Sequence, residues 1–408
     1  MSSVRTNKLK IFNDPIYGFI SIPKPIIFDL IEHPLFQRLR RITQMGLSYL
    51  VYPGAQHSRF HHAIGCVHLM NKAINVLRNK GVVLDDNEET ALYIAILLHD
   101  IGHGPFSHAL EHSLISEIHH EDISLKFMEY LNIEFEGKLD LAIEIFKGEY
   151  SRDFLYQLVS SQLDIDRLDY LKRDGFYTGV VEGSINSDRL ISMMNVVDDQ
   201  LVIEEKGIYS IEKFIVARRL MYWQVYLHKT GVVAENMLVN LLRRAKELIA
   251  NGQNIGGSKE LNFFLKHNIS RDKFDDEILI KFSKLDDIDV LSSIKVWSED
   301  QDYVLSHLSK SILNRKLLRI NFQNQPVEDQ VFERERIACM QRLNLSENEV
   351  EYLVFRGEVK NLAYNNINGR ISLLKKDQTL VDFASASDQM VAQSISKETV
   401  KHFLAFPK

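Results

Sequence analysis

Apolar and polar positions change period several times along the chain, and each change marks an element. Residues 9–23 (LKIFNDPIYGFISIP) alternate around Asp14-Pro15 and Gly18, which predicts a short β-hairpin. From Lys24 to about Met193 the apolar positions recur three and four apart, the spacing of helices with one buried stripe. Helices are predicted at 24–32, 35–45, 59–80, 87–102, 105–116, 120–131, 138–147, 153–160 and 163–175. Gly102, Gly104 and Pro105 break one helix and start the next. Residues 195–209 predict a second hairpin with turns at Asp198-Asp199 and Lys206-Gly207, and long helices follow at 210–228 and 231–250. The Gly- and Asn-rich stretch 251–258 (NGQNIGGS) reads as a linker. Beyond it, 259–315 is helical, then strands at 317–322, 359–364 and 371–374 alternate with helices near 331–341 and 384–393. The expected fold class is mainly α: a helical domain over 1–250, and a smaller mixed α/β region over 251–408 that serves oligomerisation or regulation.

Composition narrows the functional classes. The 408 residues are 45% hydrophobic and 25% charged, an ordinary globular mix. A net charge of −6 argues against a broad basic surface, so no specific nucleic-acid partner is expected. Two isolated cysteines exclude a disulfide scaffold, and a cytoplasmic location is expected. The N-terminus lacks the apolar core of a signal peptide, and the longest strongly apolar run, Ala91 to Leu98, is far too short to cross a membrane. The oddity is histidine: ten of the fifteen fall between His57 and His120. A cluster of that density points to metal or proton chemistry.

The centre of that cluster is YIAILLHDIGHGPFSH (93–108), where an apolar helix runs into His99-Asp100. A His and an Asp ending a buried helix are costly unless something satisfies them, and a divalent cation does so well. Two adjacent ligands cannot close a coordination sphere. Two other segments offer more: RFHHAIG (59–65), with His61 and His62 at the start of a helix, and LDIDRLDYLKRD (163–174). On the latter helix Asp166, Tyr170 and Asp174 share one face at i, i+4 and i+8.

With these motifs in this order the chain resembles the HD-domain phosphohydrolases, and within them the dNTP triphosphohydrolase branch. The resemblance spans roughly residues 30–230. It is carried by FQRLRRITQMG (36–46), YPGAQHSRFHHAIG (52–65), LLHDIGHGPFSH (97–108), HHED (119–122), DIDRLDYLKRD (164–174) and YLHKT (226–230). It implies a helical HD-domain core and four metal ligands, His62, His99, Asp100 and Asp166, with His62 preferred over His61 by its spacing from Arg59. One divalent ion per subunit is expected, Mn, Fe, Mg or Zn. Two imidazoles and two carboxylates leave positions open for water and a phosphate oxygen.

His103, one turn beyond His99, is the expected proton donor, and His120 resembles the family's second active-site histidine. Glu111 stands where the related triphosphohydrolases tend to have an Asp that orients the catalytic histidine. Arg59, one turn before His62, can clamp a phosphate in a bidentate manner. His108, which closes the FSH motif, is expected to bind phosphate, and Arg167 and Arg218 match further phosphate-binding positions, although the family often has Lys where Arg167 stands. Tyr170 and Asp174 resemble the pair that packs on the sugar and holds its 3′-hydroxyl. Gln44 and Met45 resemble the residues on its other side, where Leu often replaces Met45. His57, His61, His68 and His112 are expected to pack or support, and Cys66 to be a small buried residue.

The leading expectation is hydrolysis of a deoxynucleoside triphosphate to deoxynucleoside and inorganic triphosphate. One alternative is action on nucleoside monophosphates or phosphodiesters. Another is a nucleotide-binding regulatory module with little turnover. The resemblance also implies a homo-oligomer, dimer or tetramer.

Overall fold

The computed structural model describes residues 10–106, 115, 118–362, 364, 370–387 and 398–408. Helices dominate, with three small sheets. The N-terminal hairpin pairs Ile11–Asp14 with Gly18–Ser21 in antiparallel register. Its turn is held by Asp14 Oδ1, which accepts from Ile16 N and Tyr17 N.

The central element is the helix Asp86–Leu98. Asp85 caps it by accepting from Glu88 N at 2.8 Å, and the Glu88 carboxylate accepts from Asp85 N in return. Residues 91–98 are buried all round, so this helix is the axis of the core. It packs against the helices Arg59–Asn79 and Asp140–Lys147. The helix Arg59–Asn79 also crosses Ile165–Thr178 closely, because Gly65 has no Cβ: one built there would lie 2.1 Å from Asp169 Oδ1.

The chain departs from the predicted pattern in several places, and some predicted elements fall outside the described residues. No helix spans 35–45: the short helix Pro34–Gln37 and the 3-10 turn Arg38–Arg41 give way to a bridge between Thr43 and Ser58. There the backbone pairs outward, Gln44 N donating to His57 O at 2.9 Å and Arg59 N to Ile42 O at 2.9 Å. The apolar helix ends at Leu98 rather than 102, and 99–106 form a turn. Pro105 and Phe106 lie in that turn, and most of the expected helix 105–116 falls outside the described residues. The helix Ile208–Met221 passes into a π-helical turn, Tyr222–Tyr226. Near 384–393 only the short helix Phe383–Ala386 is described, and strands Leu380–Asp382 and Thr399–Phe406 appear where none was predicted.

The expected second hairpin forms from Met194–Val197 and Gln200–Glu204, with Asp198 and Asp199 at positive φ in its turn. The C-terminal strands Ser372–Leu374 and Leu380–Asp382 extend this hairpin into a four-stranded sheet. A separate three-stranded sheet has Thr399–Phe406 at its centre, between Arg319–Gln323 and Phe355–Asn361. Among the described residues no helix is long and apolar enough to cross a membrane.

Candidate active site

Three elements bring the predicted ligands together. His62 lies in the first turn of the helix Arg59–Asn79, His99 and Asp100 close the central helix, and Asp166 opens the helix Ile165–Thr178. His62 Nε2 stands 3.1 Å from Asp166 Oδ1, 3.3 Å from His99 Nε2 and 3.8 Å from Asp100 Oδ2. His99 Nε2 lies 3.5 Å from Asp100 Oδ1 and 3.6 Å from Asp166 Oδ1. Ligands bonded at about 2.1 Å to one octahedral ion stand about 3 Å apart along each edge, close to these separations.

The far nitrogen of each ring is spoken for. His62 Nδ1 lies 2.8 Å from Asp169 Oδ2, and His99 Nδ1 lies 2.7 Å from the Ile96 carbonyl. Both rings are thereby turned with Nε2 toward the cluster. Asp169 is gripped by Arg173, whose third contact is Asp14 in the hairpin turn at 2.8 Å. His61 is turned away, its Nδ1 2.9 Å from the helix-capping Ser58 hydroxyl.

Electrostatics agree with the geometry. Burial opposes charge on His62, but the bonds to Asp166 and Asp169 outweigh it and hold the ring well above the usual histidine range. Burial likewise opposes charge on His99, and Asp100 and Asp166 overcome it. Against burial, His99, His103 and Arg59 hold Asp100 well below the usual carboxylate range, and His62 and His99 do the same for Asp166. Two carboxylates and two imidazoles thus converge where a positive charge is favoured, so the donor set fits a divalent cation. Cys66 also comes close, with His62, Cys66 and His99 offering atoms within 4.8 Å of one another. Its Sγ is 3.6 and 3.7 Å from the two nitrogens of His62, which puts it beside the ring rather than beyond Nε2. Burial pushes its thiol up, which disfavours the thiolate a metal would need. We therefore rank Asp100 and Asp166 ahead of Cys66 as ligands.

His103 reaches the cluster from the turn rather than from a helix, with Nε2 3.3 Å from Asp100 Oδ1. Its ring stacks on that of His120, centroids 3.9 Å apart. Burial and then the Arg59 guanidinium hold His103 well below the usual histidine range. Arg59 is buried and pairs with Asp100, Nη1 to Oδ2 at 2.5 Å, so it borders the cluster directly. His108 and Glu111 lie outside the described residues.

A second group lines the other end. The Tyr170 ring lies 6.5 Å from the His62 ring and 6.2 Å from the Tyr226 ring. Burial pushes the Tyr170 phenol well above the usual range, and Tyr222 adds to this against the Arg167 and Arg218 guanidinium groups. Arg167 pairs with Asp164, while its Nε, like Arg218 Nε and Gln44 Oε1, is buried without a hydrogen-bond partner among the described residues. Met45 is buried at the start of the turn Gly46–Leu50. Both oxygens of Asp174 are engaged, Oδ1 by His57 Nε2 at 2.7 Å and Oδ2 by the Tyr226 hydroxyl at 2.7 Å.

Sequence reasoning passed over Asp169, Arg173, Asp14, Tyr226, Ser124 and Arg38. Ser124 ties the turn after the central helix in place, donating to His99 O at 2.8 Å and accepting from Gly102 N at 2.9 Å. The only signal for Asp169 was its place three residues after Asp166 on the same helix.

Known proteins share much of this chain. Residues 59–173 match the HD domain family, and 185–259 match the HD associated region. A crystal structure of a phosphohydrolase from Bacteroides thetaiotaomicron superposes with a TM-score of 0.95 at 48% identity, covering 98% of this chain and all of that one. The chain belongs to the HD-domain phosphohydrolase family. It lies in the branch that resembles dNTP triphosphohydrolases, and it is a metal-dependent phosphohydrolase. An uncharacterized Bacillus subtilis protein is 35% identical over 76% of this chain and 71% of its own length. The deoxynucleoside triphosphate triphosphohydrolase SAMHD1 homolog of Dictyostelium discoideum is 33% identical over 62% of this HD phosphohydrolase, and human SAMHD1 is 29% identical over 60%. These matches span 52% and 46% of those two relatives, about half their length.

Proposed function

We propose that this HD phosphohydrolase cleaves deoxynucleoside triphosphates at the α-phosphate, giving deoxynucleoside and inorganic triphosphate. The observation that carries this reading is the single helical face on which Asp166, Tyr170 and Asp174 follow one another, from the metal donors toward the Tyr226 ring, with Arg167 beside it. That order suits a phosphate at the Asp166 end and a sugar against Tyr170. In this reading His62, His99, Asp100 and Asp166 would hold one divalent ion, which would supply polarisation of a phosphoryl oxygen and a more acidic water.

The remaining work falls to the chain. Arg59, Arg167 and Arg218 balance the phosphate charge, and the buried nitrogens of the latter two await an acceptor. His103 moves the proton at Nε2, supported by the stacked His120. In the free protein burial and Arg59 disfavour the charged ring. An arriving polyphosphate offsets Arg59 and returns the ring toward the protonated form that a donor needs. The Tyr170 ring packed on C2′ leaves no room for a 2′-hydroxyl. His108 and Glu111 complete the phosphate contacts and the orientation of histidine. Gln44 and Met45 close the far side of the sugar. We further take the protein to be a cytoplasmic homo-oligomer, dimer or tetramer, with 251–408 contributing to assembly or regulation.

A second reading, hydrolysis of nucleoside monophosphates or phosphodiesters, is favoured by Asp174. Its two oxygens are already bonded to His57 and Tyr226, which leaves only spare lone pairs for a 3′-hydroxyl. Product analysis separates the readings. With each dNTP and Mn²⁺ or Mg²⁺, triphosphate plus deoxynucleoside is expected. Orthophosphate, or turnover of other phosphoesters alone, sustains the second reading, and tight binding without turnover returns the regulatory module. Asp166→Ala and His103→Ala should each lower kcat by at least ~10²-fold, and wild-type rates in either variant would sink the assignment.

A further inference from the structure

Arg38 meets no predicted ligand, yet after Trp297 it is the largest side chain sealed completely inside the described protein. Among the described residues no carboxylate hydrogen-bonds to it. Its guanidinium spends its donors on three carbonyls: Nη1 to Ile101 at 3.0 Å, Nη2 to His103 at 2.6 Å and Nε to Leu285 at 3.3 Å. The rings of Phe127 and Phe282 flank it at 5.8 and 5.0 Å. Burying a guanidinium in this way is costly, and its planar fork is what lets one group fix three carbonyls at once. Two of the three belong to the turn that presents His103.

Two residues beyond Leu285 the same segment reaches the other side of the site. Asp287 Oδ2 accepts from Thr43 N at 2.8 Å and Thr43 Oγ1 at 2.7 Å, and Oδ1 accepts from Phe106 N at 3.2 Å. Thr43 immediately precedes Gln44 and Met45. Phe106 ends the described part of the His103 turn at φ +51°, a left-handed backbone that a bulky residue adopts only when held. Leu285–Asp287 lies outside both segments that match the family, 59–173 and 185–259.

We propose that Arg38 and the 285–287 segment form a positioning clamp, in which Arg38 sets the backbone of His103 and Asp287 sets the Thr43–Met45 segment against the substrate. This rests on the roles of His103 and Gln44 given above. The two arms make separable predictions. Arg38→Lys keeps the charge but loses the fork, so His103 drifts. kcat should fall at least ~10-fold with KM within ~3-fold, since misplacing a catalytic group by about 1 Å costs up to ~10²-fold. The pH profile of kcat should move with it. Thr43→Val loses one arm of the Asp287 contact, so KM should rise at least ~5-fold with kcat within ~2-fold, about one hydrogen bond, and Thr43→Ser should restore it.

The assay uses the full chain with Mn²⁺ and dGTP, alongside thermal unfolding and bound-Mn²⁺ stoichiometry. Lower melting temperatures with unchanged kcat and KM would overturn the clamp, as would both variants moving the same parameter. Should Arg38→Lys fail to fold, a wild-type KM in Thr43→Val is enough to overturn it. If the wild type leaves dGTP intact but cleaves bis(4-nitrophenyl) phosphate, the triphosphohydrolase reading alone fails, and the same split on that substrate decides the clamp.

Discussion

Asp169 Oδ2 stands 2.8 Å from Nδ1 of His62 and thereby decides that Nε2 faces the cluster. Both residues are fully buried. Against burial, Arg173 first and then His62 bring the Asp169 carboxyl down to about 2, so it stays ionised at neutral pH and makes the imidazole a stronger ligand. Asp169→Asn keeps the shape but removes the charge. Mn²⁺ affinity should fall ~10- to 100-fold, the range for losing such a support. Calorimetric titration of the folded variant measures it, and an unchanged affinity would remove Asp169 from the centre.

The same network makes Gly65 irreplaceable. A Cβ there would lie 2.1 Å from Asp169 Oδ1 and 2.2 Å from Arg173 Nη2. Neither group can retreat, since Arg173 is also held by Asp14. Gly65→Ala should cost at least ~1–3 kcal/mol in urea unfolding, the usual range for overpacking, and should weaken Mn²⁺ binding with it. Gly231, in the helix Lys229–Ala250, has open space around a built Cβ. Gly231→Ala should be neutral or stabilising by up to ~1 kcal/mol, and equal losses in the two variants would refute the steric account.

The contrast between these residues and the motifs shows what sequence can carry. His62, His99, Asp100 and Asp166 were legible because each sits in a short pattern whose chemistry is unusual on an apolar helix. The central helix and its neighbours were legible because their period is uninterrupted. Asp169 and Arg173 were not, since an Asp and an Arg four residues apart normally form a solvated pair. Only the crossing at Gly65 shows them to be buried. Residues 35–45 carry a helical period, but Thr43 and Gln44 take backbone partners on the distant strand-like stretch 57–58. The strand Thr399–Phe406 was missed because its apolar residues crowd at one end rather than alternating.

Tyr226 offers a test of the sugar end. Its hydroxyl donates to Asp174 Oδ2 at 2.7 Å, and His57 holds the other oxygen while stacking on Tyr177 at 4.4 Å. If the carboxylate must be aimed to receive a substrate hydroxyl, Tyr226→Phe releases one of its two guides. KM for the preferred dNTP should rise about 5-fold, roughly the worth of one hydrogen bond, with kcat nearly unchanged. Steady-state kinetics that give the wild-type KM would show that Asp174 serves the fold and not the substrate.

Asp287 ties stability to pH. Burial raises its carboxyl to about 6, and Asp286 adds to this, while the bonds from Thr43 and Phe106 only partly offset it. An unfolded aspartate titrates near 3.9. Between those values the folded state binds the proton more tightly, so this group's contribution is fully present below about pH 4 and is lost as pH rises through 6. Two units correspond to roughly 3 kcal/mol at most. Asp287→Asn cannot titrate, and whichever way its amide turns, its NH2 faces a donor, either Phe106 N or the Thr43 pair. The gap in unfolding free energy between wild type and Asp287→Asn should therefore shift against the wild type by up to ~3 kcal/mol from pH 4 to pH 7. Denaturant curves at both pH values measure that gap. A gap that stays constant, or grows in favour of the wild type, would mean that the three donated bonds outweigh burial and that Asp287 titrates as an ordinary carboxylate.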